Sequence, residues 1–212
     1  MIADETEARA FVVGLCDDAA MERLERFCAL LVAENERQNL IARATVTELW
    51  RRHIADSAQL LPLVPRETGP WLDLGTGAGF PGLVIAMMQP DRDVRLVESR
   101  KRRVEWLQGV IEALDLRRCT VLGARLEQIP SFSASVISGR AFAPLPRLLT
   151  LSARFSTSDT IWLLPKGRSA KQELEELPVS RRKMFHVKQS LTDPESGILV
   201  SDPDRTATAK AR

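Results

Sequence analysis

The stretch from Trp71 to Gly82, W-L-D-L-G-T-G-A-G-F-P-G, constrains this chain more than any other. A short apolar run interrupted by Asp73 gives way to Gly75, Gly77 and Gly79, and then to the apolar run Leu83 to Met88. That order predicts strand, glycine loop, helix. Glycine suits a loop whose backbone takes positive φ or lets a ligand approach the main chain, and the first strand-to-helix turn of a doubly wound sheet is where nucleotide-like ligands bind. Val94 to Val97 alternates as a strand and ends in Glu98, about 20 residues beyond the glycines, the usual separation for a carboxylate that accepts ribose hydroxyls.

The glycine spacing narrows the ligand. A dinucleotide loop needs G-x-G-x-x-G, but the spacing here is G-x-G-x-G, Phe80 follows, and Pro81 stands in the first helical turn. Asp73 beside the loop repels phosphate and suits an ammonium or sulfonium cation. An adenosine without phosphate that carries a positive sulfur and an amino-acid tail is S-adenosylmethionine. A glycine loop alone serves equally well as a tight structural turn. With Asp73 before it and Glu98 after it, the stretch points to a methyltransferase.

Further strands are predicted at Cys119 to Leu122, Ser135 to Ser138 and Ile161 to Leu164, with two closing strands, Met184 to Val187 and Ile198 to Val200, pairing as a hairpin-like edge. The expected class is α/β: a Rossmann-like class I methyltransferase with a seven-stranded, mostly parallel sheet and an amino-terminal helical extension. The expected division is 1–66 for the extension, 67–201 for the methyltransferase domain and 202–212 for a disordered tail. Asp17 and Asp18 cap a helix from Ala19 to about Asn35, whose apolar positions Met21, Leu24, Cys28 and Leu31 share one face. Thr45 is expected to cap a third helix, in a capping box with Glu48, that carries Leu49, His53 and Asp56 on one side. Helices are also expected over Arg100 to Leu114 and from Ser169 to Leu177.

Composition excludes several classes. Cys16, Cys28 and Cys119 are odd in number and unrelated in spacing, so neither a disulfide framework nor a metal site is expected. No apolar run reaches ~18 residues and the start is acidic, so a cytoplasmic protein with no membrane partner is expected. A monomer is expected. Net charge is only +2, but basic residues cluster at Arg51-Arg52-His53, Arg100 to Arg103, Arg140 and Lys166 to Arg168, as an RNA-binding rim would have them. Solvated surface arginine is the plain alternative, preferred for Arg117-Arg118.

The fourth strand runs into Ser138-Gly139-Arg140-Ala141-Phe142, where the methyl acceptor of such a fold lies. No Asn-Pro-Pro-aromatic motif is present to hold an exocyclic amine, and no cysteine to attack a pyrimidine. Arginine suits a target that is already a lone-pair nucleophile, such as a purine ring nitrogen; a structural salt bridge is its other reading.

Together these residues resemble the bacterial 16S ribosomal RNA guanine-N7 methyltransferases, the glucose-inhibited division protein B family. The likeness rests on Asn39-Leu40, His53-Ile54-x-Asp56-Ser57, Asp73 to Gly82, Glu98-Ser99 with its basic followers, Arg125-x-Glu127, Arg140-Ala141 and Lys166-Gly167, and it spans Asn39 to about Gln189. The resemblance implies methylation of N7 of one guanine, nucleotide 527, in 16S rRNA of the small subunit or its assembly intermediate. It implies cofactor contacts at Asp73, Gly75, Gly77, Gly79, Phe80, Glu98, Ala124, Arg125, Leu126, Glu127 and Arg140. Arg125, Arg140, Lys166 and His53 are implied at the RNA or the target base, with Asp56 on the same rim. Ile41, Ala58 and Arg102 depart from the family's usual Thr, Leu and second Lys. The competing readings are a ribosome assembly factor whose catalysis is secondary or lost, and a small-molecule methyltransferase.

Overall fold

The structure is a computed structural model that describes residues 1–65 and 69–201. The expected domain boundary at 66/67 and the tail 202–212 lie outside the described residues. Seven strands form one sheet: β1 Trp71–Leu74, β2 Val94–Val97, β3 Cys119–Leu122, β4 Val136–Ser138, β5 Ile161–Lys166, β6 Phe185–Gln189 and β7 Gly197–Ser201. Their order is β3-β2-β1-β4-β5-β7-β6, with β7 antiparallel to both neighbours and every other pair parallel. The two closing strands do pair with each other, and β7 is the one inserted next to β5. The order reverses between β1 and β4, so the carboxyl ends of those strands open a crevice.

Side chains of β1 alternate between two cores, as strand geometry requires. Trp71 joins Val94, Leu96 and Val136 under the helices α2 (Asp18–Gln38), α4 (Gly82–Met88) and α5 (Lys101–Ala113), whereas Leu72 and Leu74 face α6 (Leu145–Ser152). Every residue of α4 is buried. Phe27 of α2 meets Phe80 edge-on at 5.6 Å and lies 6.2 Å from Trp106, so the amino-terminal helices share the core of the sheet. Asp17 caps α2 through Ala20 N–H at 2.8 Å, and Asn39 ends it in a left-handed turn.

The third helix differs from expectation. Residues Arg43–Glu48 form a 3-10 turn, Trp50–Ala55 a π-helical turn, and only Asp56–Ala58 (α3) is α-helical. Thr45 is no cap: its hydroxyl donates to Ala42 O at 2.8 Å and lies 2.9 Å from His53 Nε2, while Glu48 pairs with Arg51. The free N–H groups of Trp50 and Arg51 are taken instead by Glu5 of α1 (Glu5–Val13), at 2.9 and 2.8 Å. The carboxyl-terminal helices are short, α7 Ala170–Glu175 and α8 Val179–Arg182.

Gly82 admits no side chain. A Cβ there would collide with Leu96 and lie 2.8 Å from Asp73 Oδ2 and 2.9 Å from Asp73 Cβ. Gly82→Ala is therefore expected to lower unfolding free energy by about 2 kcal/mol or more in urea denaturation, although alanine is the better helix former.

Candidate active site

Asp73 anchors the site without facing it. Its register partner across β1 and β4 is Ser138, whose hydroxyl donates to Oδ1 at 2.6 Å and accepts from Trp71 Nε1 at 2.8 Å. Gly82 N–H donates to Oδ2 at 3.0 Å. The side chain is fully buried, and burial pushes its carboxyl up against the hydrogen bonds that favour the charged form. Asp73 lines neither of the two cavities described next, so its carboxylate is spent within the fold.

The first cavity, about 640 Å³, lies where Gly75, Gly77, Glu98, Ala124, Arg125, Leu126 and Glu127 converge at the carboxyl ends of β1, β2 and β3. Gly75 and Gly77 take φ of 62° and 60°, the left-handed backbone for which glycine is suited. Glu98 sits at the end of β2, and its Oε1 accepts from Ser99 N–H and Arg100 N–H at 2.8 and 2.9 Å, which holds the turn that leads into α5. Its Oε2 makes no hydrogen bond among the described residues and could take a ribose diol. Arg100, Arg103, Arg125 and Arg147 ring the mouth. S-adenosylmethionine fits these residues: a carboxylate for the ribose, glycines for close approach, arginines for the amino-acid carboxylate, and no phosphate cradle. Gly79 and Phe80 line neither cavity. Gly79, with φ of 114°, leaves room for Leu83, and Phe80 is buried under His53.

The second cavity, about 870 Å³, lies beyond β4 and β5 and is lined by Arg52, His53, Asp56, Arg140, Lys166, Thr192 and Asp193, among others. Arg140 is placed here and not in the glycine-loop cavity. Its Nη1 donates to Arg52 O and to Asp56 Oδ2, both at 3.2 Å, and its Nη2 to His53 Nδ1 at 3.1 Å. Its guanidinium also stands 5.1 Å over the Phe80 ring. Asp56 is held by the Thr192 hydroxyl at 2.7 Å and Gln59 Nε2 at 2.9 Å. The salt-bridge reading of Arg140 is thus part of the geometry, yet the residue still faces the cavity.

His53 is neutral. Arginine only donates, so Nδ1 accepts from Arg140, and the ring proton sits on Nε2, facing Thr45 Oγ1. The ring stacks on Phe80 at 4.8 Å. Burial, then Arg140 and Arg52, push its pKa down to about 3 from 6.5. Lys166, 8% exposed, gives its ammonium to Glu173 at 2.7 Å. Burial raises the Glu173 carboxyl, but the bonds from Lys166 and from Ser169 Oγ, at 2.8 Å, outweigh it and leave the group below its ordinary range. Ser169 therefore serves Glu173 rather than capping α7.

Arg125, exposed at the first cavity, makes no ion pair among the described residues; Asp115, its alternative partner, pairs with Arg117 at 3.0 Å. Two features escaped the sequence reading. Arg52 pairs with Asp193 at 3.2 Å, tying the π-helical turn to the loop before β7. Phe142, two residues past Arg140, lines both cavities; its place after Arg140 at the end of β4 was the available signal.

The residues from 20 to 195 match the family model GidB, rRNA small subunit methyltransferase G. The chain belongs to the GidB family. It is 60% identical over 200 residues to the Ribosomal RNA small subunit methyltransferase G of Erythrobacter litoralis, covering 94% of this chain and 97% of that one. The corresponding protein of Novosphingobium aromaticivorans is 58% identical over 204 residues, 94% and 88% of the two chains. A ribosomal protein L11 methylase from Lactobacillus delbrueckii superposes with a TM-score of 0.57 at 10% identity, over 70% of this chain and 76% of that one, which bears out the class I fold. S-adenosylmethionine is the cofactor of this GidB chain.

The neutral His53 has a sign that can be checked. Between pH 6.5 and about 3 the unfolded chain binds a proton at this histidine that the folded one does not. Its contribution is thus complete above pH 6.5 and is lost as pH falls, by about 1.4 kcal/mol per pH unit. Urea denaturation at pH 7, 6 and 5 is expected to show a steeper acid loss in the wild type than in His53→Gln.

Proposed function

We propose that the chain transfers the methyl of S-adenosylmethionine to N7 of guanine 527 of 16S rRNA in the small ribosomal subunit or its assembly intermediate, and does so in the cytoplasm. The observation that carries this reading is a target cavity without a free base, sharing a wall with the cofactor cavity. Both His53 nitrogens are occupied, and Asp56, Glu173 and Asp193 each hold a cation. Guanine N7 presents an in-plane lone pair and needs no proton removed. The names of the relatives, ribosomal RNA small subunit methyltransferases, support the same substrate.

Bound S-adenosylmethionine supplies an electrophilic methyl group. The chain contributes position and electrostatics. Arg140, held through three described acceptors, keeps Nε–H and one Nη2 hydrogen for the base. These suit O6 or a phosphate; a bond to N7 itself would block the reaction. The carboxylates paired with Arg52, Arg140 and Lys166 keep the cavity from setting net positive charge against the purine as it is methylated. Outside, Arg100, Arg102 and Arg125 are exposed and, among the described residues, free of ion pairs, as a rim that meets an RNA backbone needs.

Labelled methyl transfer to small subunits, naked 16S rRNA and tRNA, followed by borohydride and aniline cleavage, tests the reading. One cleavage at guanine 527 is expected; label without cleavage would discard N7. Arg140→Ala is expected to lower kcat/KM for the RNA by about 100-fold with cofactor Kd within about twofold, read by calorimetry; equal losses in both would remove its orienting role. Arg102→Ala is expected to weaken RNA binding and reduce the slope of log K against log salt by about 1.

A further inference from the structure

The sulfonium of the cofactor needs a partner that Asp73 does not provide. In the sequence Asp73 is the acid beside the glycine loop, yet its carboxylate is buried on Ser138 and Gly82 and lines neither cavity. The other acids at the cofactor cavity, Glu98 and Glu127, stand on the side of β2 and β3, away from the wall toward the target. That wall is the segment Ala141 to Pro144, which lines both cavities.

In-line methyl transfer forms the carbon–nitrogen bond as the carbon–sulfur bond breaks, so sulfur and acceptor must meet where the two cavities adjoin, beside this segment. The wall carries one aromatic side chain, Phe142. Its ring rests on the glycine loop: a Cβ built on Gly75 would stand 2.6 Å from Phe142 Cδ2 and 3.5 Å from Cε2. Ala141 just before it holds a φ of 56°, a conformation that costs a non-glycine residue about 1 to 2 kcal/mol, and this turn sends the next side chain back toward β1. Phe142 is half-buried, and no ring or cation contact is described for it, in contrast to Phe80, which carries both His53 and Arg140. The ring packs against the core around Leu72, Leu74 and Leu145 and lines the cofactor cavity, with no aromatic or cationic neighbour over it among the described residues.

We propose that Phe142 is a positioning residue that recognises the positive sulfur of S-adenosylmethionine through its ring. This rests on the cofactor assignment and adds to it a means of telling donor from product. The ring quadrupole attracts a desolvated cation and is indifferent to a neutral thioether of the same shape. When the methyl leaves with its bond to the target nitrogen, the carbon–sulfur electron pair stays on sulfur, the charge there vanishes, and the hold of the ring ends. Phe142 therefore favours the loaded donor and lets S-adenosylhomocysteine go.

The test compares the Kd of S-adenosylmethionine with that of S-adenosylhomocysteine by calorimetry, on wild type, Phe142→Leu and Phe142→Tyr, and on protein with trifluorophenylalanine at position 142. Phe142→Leu is expected to weaken S-adenosylmethionine about five- to tenfold and S-adenosylhomocysteine less than twofold. Phe142→Tyr keeps wild-type values, and the fluorinated ring, which keeps its shape but loses the negative face, behaves as leucine does. S-adenosylhomocysteine binding within twofold of wild type reports an intact pocket. Parallel losses for both ligands, or no loss in Leu and fluorinated variants, overturn the proposal and leave the cofactor assignment standing. Failure of wild type to bind either ligand overturns both.

Discussion

The buried carboxylate of Asp73 is the point on which the crevice depends. It joins β1 to β4 through Ser138 and to the start of α4 through Gly82 N–H, and so fixes the two strands between which the crevice opens and the helix that follows the glycine loop. A fully buried carboxylate carries a large desolvation cost, which the two hydrogen bonds offset only if their donors stay in place. Gly82 must therefore lack a side chain, and Ser138 must present its hydroxyl at the register position opposite Asp73. With α4 held this closely, the chain between Leu74 and Gly82 has to turn sharply, and Gly75, Gly77 and Gly79 absorb that turn at positive φ. An acid that looks like a ligand contact in the sequence thus shapes the ligand site from behind.

Electrostatics divide the remaining work between interior and rim. Inside the target cavity Arg52, Arg140 and Lys166 are each matched by a carboxylate, and His53 stays uncharged. The interior is polar, nearly neutral and rich in fixed donors, which fits a base edge better than a phosphate. Around the cofactor mouth the balance is opposite, with Arg100 and Arg125 exposed and unpaired among the described residues. Lys166 belongs to the first group. In the sequence it reads as a cation free for RNA; in the structure its ammonium is committed to Glu173, and loosening that pair would expose a half-buried carboxylate as well.

What was legible in the sequence is what local order determines. The glycine loop, Glu98 at the end of β2, and the strands at 94–97 and 119–122 follow from alternation and from the short span between strand and loop. Thr45 illustrates the opposite case. Its capping box with Glu48 has the right spacing, but Glu5, 45 residues from Trp50, supplies the acceptor instead, and a cap delivered by another helix leaves no local trace. Once Glu5 holds those N–H groups, Thr45 is free for His53, and the backbone takes a wider π turn. Helix α6 escaped because Pro144 and Pro146 bracket its start, although Leu145, Leu148 and Leu149 recur at helical spacing. The role of Asp73 was hidden by the same limit, since Ser138 lies 65 residues away.

The same distinction separates the two cavities. Glycine loop, Glu98 and the segment 124–127 of the cofactor cavity each follow one of the three consecutive strands β1 to β3, within two successive βαβ units, so a motif can announce them. The target cavity is assembled from the π turn near His53, the end of β4, the end of β5 and the loop before β7. Its outer loop is fastened from the amino-terminal side: Ile2 N–H donates to Leu191 O at 2.7 Å, Leu191 N–H to Gln59 Oε1 at 2.8 Å, and Arg52 pairs with Asp193. The amino-terminal helices are therefore one wall of the target cavity as well as a cover for the sheet. Tertiary packing, not motif spacing, sets where Arg140 points, so the contents of this cavity are not read from any one stretch of the chain.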